Sequence, residues 1–291
     1  MSLLLHFEDE AVLAQALAAA LGWPCAVLRC HRFPDGELKL TLPPVLPERT
    51  VLLRGLQQPN EKLVQLLLAA PAARELGARH LTLVSPYLAY MRQDIAFSPG
   101  EAVSQRHLGC ALAAWFDTVV TIDPHLHRIA TLDEALPGRK GIALSAAPAV
   151  GAWVAAEVGS ALLLAPDEEG GQWARAAALA GGLEHGVCHK ERRGDRDVAV
   201  RLPEIDLRGR HVVLVDDVAS TGRTLIEAAT AALAAGAASV DAAVTHALFD
   251  DSAAALIAAA GIGQVWSSNS VPHPSNVISV VPLLAQALRD G

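Results

Sequence analysis

The sequence predicts an α/β protein of two domains, each with a mainly parallel sheet flanked by helices. Short apolar runs rich in Val, Leu and Ile alternate along the chain with Ala-rich segments of good helix propensity. Strands that alternate with helices build parallel sheets, because each crossover helix returns the chain to the end of the sheet at which the previous strand began. The chain has 291 residues. Single cores rarely grow beyond about 250 residues, so we expect two domains.

The most informative segment runs from His211 to Leu225 and reads HVVLVDDVASTGRTL. Its apolar start predicts a buried strand that ends in Asp216 and Asp217, and ligands collect at the carboxyl ends of such strands. The Ser/Thr/Gly turn precedes an Ala-rich helix over 225–235, so backbone N–H groups and the helix dipole point at one spot. This pattern indicates a phosphate site, with the two acids placed for sugar hydroxyls or a magnesium ion. A strand followed by an ordinary capped helix is the structural alternative.

Composition excludes several classes of protein. A net charge of −8 argues against a broad nucleic-acid surface, which needs clustered Lys and Arg. The four cysteines lack paired C-x-x-C spacing, which favours reduced thiols and a cytoplasmic location. The N-terminus has no basic lead of the kind that a secretory signal carries. Residues 252–288 contain no Asp, Glu, Lys or Arg, but polar residues and prolines interrupt every apolar stretch, so we expect no membrane span.

Strands and helices alternate along the N-terminal half. We expect Asn60 to cap its second helix, and Gly22 and Gly77 to close the first two. The predicted helices are 11–21, 61–76 and 104–116, and the predicted strands are 26–28, 50–53, 80–84 and 118–122.

Three polar segments interrupt this half. RFPDGELK, over 32–39, is a turn with Pro and Gly at its centre, and composition alone makes it an ordinary surface turn. SPYLAYMRQD, over 85–94, follows a strand; Arg92 offers a fork that suits phosphate oxygens, and an ion-paired loop is the alternative. DPHLHR, over 123–128, places two histidines on one side of an extended chain, for a metal, a phosphate or a structural hydrogen bond.

Residues 136–141, LPGRKG, are rich in turn formers and mark the expected boundary between domains 1–141 and 142–291. Further along, APDEEGG over 165–171 is an acidic, glycine-bearing loop between a strand and a helix. In HKERRGDRD, over 189–197, eight of nine positions are ionisable. A solvated hairpin tip explains this composition, but a phosphate site in an acidic protein also needs such cations, and Gly194 would let the segment fold over a ligand. The expected helices here are 148–158, 172–180 and 283–288, and the expected strands are 160–164, 240–245 and 277–281.

The segment 211–225 resembles the ribose-5-phosphate loop that type I phosphoribosyltransferases share with ribose-phosphate pyrophosphokinases. Four further motifs favour the second family, and the resemblance covers nearly the whole chain. Phe33 to Glu37 is similar to its F-x-D-G-E turn, Pro86 to Asp94 to its P-Y-x-x-x-x-R-Q-D segment, Asp123-Pro124-His125 to its D-L-H, Asp167 to its P-D acid, and Lys190 with Arg192 to its flexible-loop cations. Five motifs in the same order are far more specific than any one of them.

The resemblance implies two type I phosphoribosyltransferase-like domains, with ATP on the N-terminal side, ribose 5-phosphate on the C-terminal side and the last helix packing back on the N-terminal domain. It implies transfer of the diphosphoryl group of ATP to ribose 5-phosphate, with Mg2+ as cofactor, in a homo-oligomer whose adenine turn serves a neighbouring subunit. The implied site residues are Lys190 and Arg192 for catalysis; Phe33, Asp35, Glu37, Arg92, Gln93, Asp94 and His125 for ATP; Asp216, Asp217, Ser220, Thr221, Gly222, Arg223 and Thr224 for ribose 5-phosphate; and His125 and Asp167 for the metal.

Two residues of the ribose-phosphate loop depart from the pattern of most bacterial members. Ser220 stands where those members usually carry Asp, and Arg223 stands where they usually carry Gly. Both residues resemble archaeal-type members or transferases. These departures bear on nucleotide regulation and hexameric assembly more than on the chemistry. A phosphoribosyltransferase and a non-catalytic regulatory homologue are the alternative functions that the sequence leaves open.

Overall fold

The computed structural model describes residues 2–126, 128–192 and 198–290, with side chains for all of these except 190–192, 198 and 199. The first part of the chain forms β1 (Ser2–Phe7), α1 (Ala11–Leu21), β2 (Cys25–Arg32), β3 (Leu38–Thr41), β4 (Arg49–Leu53), α2 (Pro59–Glu75), β5 (His80–Ser85), α3 (Ser104–Trp115), β6 (Thr118–Ile122) and β7 (Lys140–Leu144). The second part forms α4 (Ala147–Glu157), β8 (Leu162–Ala165), α5 (Gly171–Gly181), β9 (Glu184–Val187), β10 (His189–Arg192), β11 (Val198–Arg201), β12 (His211–Ala219), α6 (Arg223–Ala234), β13 (Ser239–Ala247), α7 (Asp251–Ala259), β14 (Ile262–Ser268), β15 (Asn276–Ile278) and α8 (Val281–Asp290).

The chain divides into two compact units. One unit comprises residues 1–144 together with 281–291, and the other comprises 145–280. The expected boundary at residue 141 falls inside β7, because this strand pairs in parallel with β6 along its whole length. Helix α8 belongs to the first unit, where Arg49 Nη2 donates to the carbonyl of Leu288 at 3.1 Å and Arg289 donates to the carbonyl of Ala20.

The N-terminal unit is built on a seven-stranded sheet in the order β3-β2-β1-β4-β5-β6-β7. All neighbours in this sheet are parallel except β2 and β3, which form an antiparallel hairpin. The central strands β4, β5 and β6 are almost entirely buried, as expected for parallel strands covered on both faces. Their apolar side chains pack with those of α2 and α3 around Leu52, Leu66 and Phe116.

The C-terminal unit is built on a six-stranded parallel sheet in the order β15-β14-β13-β12-β8-β9. One face packs with α6 and α7 around Leu214 and Ala229, and the other packs with α4 and α5 around Val213 and Ala174. Strands β10 and β11 leave the sheet as a separate antiparallel hairpin. The glycine-closed turn after α1, the buried runs of β12 and β13, and the Asp250 side chain that caps α7 at 2.9 Å all follow local sequence rules.

Several elements differ from the sequence-based expectation. Helix α2 begins at Pro59, so Asn60 lies inside its first turn and is not the cap. Proline suits the first turn of a helix because its missing N–H would have no partner there. Strand β2 extends to Arg32, and β1, β3, β7, β9 and β14 were not among the expected elements. Within the described ranges, no helix has the length and apolar character that crossing a membrane requires.

Candidate active site

The C-terminal sheet changes direction between β8 and β12. The chain runs from β8 outward to β9, and later from β12 to β13 on the other side, so the crossovers diverge at this pair of strands. Such a switch point opens a crevice at the carboxyl edge of a parallel sheet. Strand β8 ends at Ala165 and leads to Asp167, while β12 carries Asp216 and Asp217 near its end. The fold therefore brings three predicted site acids to one crevice.

A glycine, Gly170, lies between two of the three carboxylates, those of Asp167 and Asp216. Gly170 N–H donates to Asp167 Oδ1 at 3.2 Å, and Asp216 Oδ1 lies 3.4 Å from where a Cβ on Gly170 would stand. Asp216 Oδ1 also accepts from the N–H of Asp217 at 2.9 Å. Burial, followed by the charges of Asp217 and Asp167, raises the pKa of Asp216 well above its ordinary value. The cluster therefore favours a proton, a cation or hydroxyl donors at this position.

The turn after β12 forms the other end of the crevice. Gly222 has a φ of 71°, and a Cβ there would lie 2.6 Å from Cγ1 of Ile257, so glycine is required both by conformation and by packing. Helix α6 starts at the next residue. Its N-cap residue, Gly222, has no side chain that could cap it. The N–H groups of Thr224 and Leu225, in the first turn of the helix, therefore have no acceptor within it and point toward the turn that precedes it.

Arg223 takes a different direction from its neighbours in the turn. Its Nε donates to Glu227 Oε1 at 2.7 Å, four residues further along the helix, and its side chain is largely exposed. Its backbone N–H donates to Thr221 Oγ1 at 3.4 Å. The guanidinium of Arg223 thus runs along α6, while its backbone belongs to the turn.

A buried polar network supports this edge of the sheet, and sequence reasoning did not assign it. The N–H of Leu248 donates to the carbonyl of Ala219 at 2.8 Å, which ties the end of β13 to the end of β12. His246, in register with Val218, is buried and its Nδ1 lies 2.8 Å from Ser270 Oγ. The hydroxyl of Ser270 donates to the carbonyl of Thr245 at 3.0 Å. In the sequence, the feature that indicates this network is a pair of polar residues, Thr245 and His246, at the end of an apolar strand.

In the N-terminal unit, the loops after β5 and β6 are neighbours, because these two strands pair in parallel. Arg92 is exposed, Gln93 Nε2 donates to the carbonyl of Ile95 at 3.1 Å, and Asp94 accepts from Arg128. His125 follows β6 and is partly buried. The fold therefore brings Arg92, Gln93, Asp94 and His125 to one edge of one sheet.

The turn with Phe33, Asp35 and Glu37 lies elsewhere on the same unit. It closes the β2–β3 hairpin, where Phe33 N–H donates to the carbonyl of Glu37 at 2.8 Å. Phe33 is 38% exposed and packs edge-on against His31, with ring centroids 4.9 Å apart. Strands β1 and β4 separate β2 from β5, a lateral distance of about 14 Å at ordinary strand spacing. Both the turn and the loop with Arg92 follow the carboxyl ends of parallel strands, but these strands are not neighbours in the sheet.

Lys190 and Arg192 lie on β10, which pairs with β11 in an antiparallel hairpin. The side chains of both residues, and residues 193–197 between the strands with Gly194 among them, lie outside the described part of the chain.

Comparisons with known proteins place both units in one family. The family model described as the N-terminal domain of ribose phosphate pyrophosphokinase matches residues 2–114, and the phosphoribosyl transferase domain model matches residues 153–256. A ribose-phosphate pyrophosphokinase of Methanopyrus kandleri is 36% identical over 292 residues, covering 99% of each chain. The one from Thermococcus kodakarensis is 34% identical, covering 96% of this chain and 95% of the relative.

The chain belongs to the ribose-phosphate pyrophosphokinase family. It is therefore an enzyme, and the family predicted from the five motifs is confirmed. The fold class is confirmed as well. The crystal structure of phosphoribosylpyrophosphate synthetase from Mycobacterium smegmatis superposes with a TM-score of 0.85 at 22% identity, covering 99% of this chain and 98% of that one.

An enzyme of the ribose-phosphate pyrophosphokinase family needs a nucleotide and a metal. Among the described residues, no group of three or more His, Cys, Asp or Glu side chains is arranged to hold an ion. Magnesium, however, is commonly held by one or two carboxylates together with substrate phosphates and water. Burial, and then the neighbouring charges of Asp217 and Asp167, raise the pKa of Asp216. The donor set thus fits a divalent cation that is completed by substrate oxygens.

Proposed function

We propose that this enzyme transfers the β,γ-diphosphoryl group of ATP to the C1 hydroxyl of ribose 5-phosphate, giving 5-phosphoribosyl 1-diphosphate and AMP. One observation carries the proposal: the crevice between β8 and β12 has acids at one end and a helix N-terminus at the other. Acids accept hydrogen bonds from hydroxyls, and helix N-termini bind anions. A sugar with hydroxyls at one end and a phosphate at the other complements both.

Ribose 5-phosphate binds along this crevice in our proposal. The backbone and hydroxyls of residues 220–224 hold the 5-phosphate, with Gly222 keeping the turn open and Arg223 contributing its backbone. Asp216 and Asp217 accept hydrogen bonds from the ribose hydroxyls. The raised pKa of Asp216 supports this role, because the hydroxyls supply the hydrogen-bond donors that a buried carboxylate needs.

ATP binds at the edge of the N-terminal sheet, where Arg92 and Gln93 hold its phosphates and Asp94 fixes the end of that loop. The oxygen of the C1 hydroxyl attacks the β-phosphorus, and the proton of that hydroxyl passes to solvent water. The bond from the β-phosphorus to the α,β-bridging oxygen breaks, so AMP departs with that oxygen. Such transfers depend mainly on positioning and on neutralising charge. We assign that neutralisation to Lys190 and Arg192, a role worth about 3 to 4 kcal/mol for each well-placed group.

We assign Mg2+ as the metal, with His125 as a protein ligand on the ATP side and, separately, Asp167 as a protein ligand beside the pentose. Bound there, it would neutralise phosphate charge. The interaction of Asp167 with Asp216 supports this assignment, because a cation would relieve their repulsion.

The adenine turn, Phe33 with Asp35 and Glu37, serves the site of a neighbouring subunit in our proposal, which makes the enzyme a homo-oligomer. Its supporting observation is the separation of β2 from β5 by two strands. A half-exposed phenylalanine at a hairpin tip is suited to stack on a base that another subunit holds.

Incubation of the purified enzyme with ATP, ribose 5-phosphate and a magnesium salt tests the proposal. We expect AMP and a pyrophosphorylated sugar in equal amounts, and neither product when ribose 5-phosphate or the metal is omitted. Product formation from phosphoribosyl diphosphate and a base, without ATP, would identify a phosphoribosyltransferase. A protein that binds both substrates and forms no AMP would be a regulatory homologue.

A further inference from the structure

The ATP loop, residues 85–94, contains a backbone conformation that its own sequence does not favour. Tyr90 has a φ of 63°, in the left-handed region that bulky residues rarely adopt. Such strain persists only where surrounding contacts hold it. We propose that Asn60, Tyr90 and Arg128 are positioning residues, which clasp this loop at two points and so orient Arg92 and Gln93 toward ATP. This inference rests on the proposed function of that loop.

The first clasp joins the middle of the ATP loop to helix α2. The hydroxyl of Tyr90 donates to Asn60 Oδ1 at 2.5 Å, although the tyrosine is 39% exposed. Asn60 lies in the first turn of α2, where its side chain is available because it does not cap the helix. The strained Tyr90 is therefore fixed through the tip of its own side chain.

The base of this clasp is rigid. The loop from β4 to α2 contains Gly55, whose N–H donates to Glu10 Oε1 at 2.8 Å and whose carbonyl accepts from Lys62 Nζ at 2.9 Å. Both side chains are buried. The N–H of Leu56 donates to the carbonyl of Tyr87 at 2.8 Å. Asn60 thus lies at the start of the helix that follows this loop, and the loop itself is bonded to the ATP loop.

Buried charges reinforce the same loop. Arg54 is buried beneath it, with Nη1 2.5 Å from Asp9 Oδ1 and Nη2 2.6 Å from Gln65 Oε1. The guanidinium also lies over the ring of Phe7, 4.5 Å from its centroid. The cluster contains two cations, Arg54 and Lys62, and two acids, Asp9 and Glu10. Because the numbers of cations and acids are equal, the cluster supports the loop and does not require an anionic ligand.

The second clasp joins the end of the ATP loop to the loop after β6. Arg128 Nη1 donates to Asp94 Oδ1 at 2.6 Å, and the Asp94 side chain is only 2% exposed. Asp94 Oδ2 is buried and has no hydrogen-bond partner among the residues that the structure describes. A buried carboxylate with so few partners depends on Arg128, because removal of that cation leaves its charge uncompensated.

Arg92 stands midway between the two clasps, two residues from Tyr90 and two from Asp94. Its side chain is exposed, while Gln93 is tied through its carbonyl, which accepts from Gln105 N–H at 3.2 Å. Anchors on both sides of an exposed arginine limit its range before substrate binds. Such preorganisation lowers the entropy that a bound phosphate would otherwise have to remove.

Steady-state kinetics on Tyr90→Phe, Asn60→Ala and Arg128→Gln test the inference. We expect the KM for ATP to rise about tenfold in each, since small displacements of a positioning contact are costly. The KM for ribose 5-phosphate should stay unchanged in all three variants, and the Tm should stay unchanged in Tyr90→Phe and Asn60→Ala. Arg128→Gln leaves the buried Asp94 without its cation and should lower the Tm, so its KM for ATP is measured well below that temperature. Asn60→Asp keeps the acceptor oxygen, so its KM for ATP should equal that of the wild-type enzyme.

The double variant Tyr90→Phe/Asn60→Ala should have a KM for ATP no higher than that of either single variant, because both substitutions remove the same hydrogen bond. Arg79→Gln, which breaks an exposed ion pair with Glu48, is the matched control for Arg128→Gln.

An unchanged KM for ATP in all three variants would overturn the inference, as would a common fall in kcat and Tm, which marks a structural role. Arg92→Ala separates this failure from failure of the proposed function. If Arg92→Ala raises the KM for ATP and the clasp variants do not, only the positioning role is wrong. If Arg92→Ala also leaves it unchanged, ATP does not bind at this loop.

Discussion

Single residues at the ends of strands carry most of the proposed chemistry. Asp216 and Asp217 were predictable from the sequence because they follow a buried apolar run, and the polar turn after them pointed to phosphate. The role of Asp167 came only from the family motif. Gly170, which lies between Asp167 and Asp216, was not singled out, because its importance depends on a contact across 46 positions of the chain. His246 and Ser270 escaped notice for the same reason.

Asp216 should make the enzyme less stable as pH rises. Its folded-state pKa is raised by burial and by two neighbouring acids, so the unfolded chain releases its proton at lower pH than the folded one. The stability that the proton contributes is present below the ordinary pKa and is lost as pH rises through the raised value. Asp216→Asn should therefore be more stable than the wild-type enzyme at pH 8 and differ little from it near pH 4. Thermal unfolding across this range measures the effect.

The same substitution should weaken ribose 5-phosphate binding, since it replaces an acceptor oxygen with an amide donor. Asp251→Asn, at an exposed position in the first turn of α7, is the control and should leave the pH dependence unaltered. A variant less stable than wild type at pH 8 would show that Asp216 is compensated by contacts that this account omits.

At the scale of strands and helices, the central elements followed from sequence and the peripheral ones did not. β4, β5, β6 and β12 are buried apolar runs, which local composition identifies. Edge strands such as β3 and β9 are only four residues long and partly exposed, so pairing with a neighbour, and not composition, makes them strands. Composition also predicted a hairpin at 189–197, but the composition of a segment does not indicate in which direction its side chains point.

One acid joins several elements of the N-terminal sheet on the side opposite the site. Asp117, before β6, accepts from Arg74 Nη2 at 2.7 Å, from Leu81 N–H at 2.8 Å and from Arg139 Nη1 at 3.1 Å. Burial alone would raise the pKa of Asp117, but the bonds from Leu81 and Arg74 outweigh it and lower the pKa. Its contribution to stability is therefore present above its ordinary pKa of about 4 and lost as pH falls below it.

Asp117→Asn should lower the free energy of unfolding at pH 7 by about 2 kcal/mol, the range expected for hydrogen bonds to charged groups. Denaturant titration measures the change, and both KM values should stay at wild-type levels because the site lies at the other edge. Glu48→Gln, in an exposed pair with Arg79, is the control and should cost less than about 0.5 kcal/mol. Equal effects of the two substitutions would contradict the role of Asp117 as a junction.

At the scale of the whole molecule, length and the repeated β-α pattern predicted two α/β domains. The position of α8 illustrates what such patterns omit: the chain returns to its first unit after completing the second, through long-range contacts with α1 and β7. The order of the five motifs identified the family, whereas the assembly that would complete an adenine site is not encoded in any local pattern.

Mixing two impaired variants, assayed at an ATP concentration well below the KM of the second, tests the proposed assembly. Lys190→Ala should reduce turnover at least about a hundredfold, and Phe33→Ala should raise the KM for ATP. If the adenine turn serves a neighbour, hybrids made by unfolding and refolding an equal mixture should recover roughly a quarter of the wild-type sites, because half the pairs contain one intact site of two. Recovery no greater than the sum of the separate variants would place the turn and Lys190 in the same subunit's site.

The central claim is that the C1 oxygen of ribose 5-phosphate attacks the β-phosphorus of ATP. It is tested most directly with ATP that carries heavy oxygen in the α,β-bridging position, followed by mass spectrometry of both products. We predict that all of the label departs with AMP and that the phosphoribosyl diphosphate contains none. Label in the diphosphate of the product would show that the bond from the α-phosphorus to the bridging oxygen breaks, and formation of ADP would show attack at the γ-phosphorus. Either result would contradict the account.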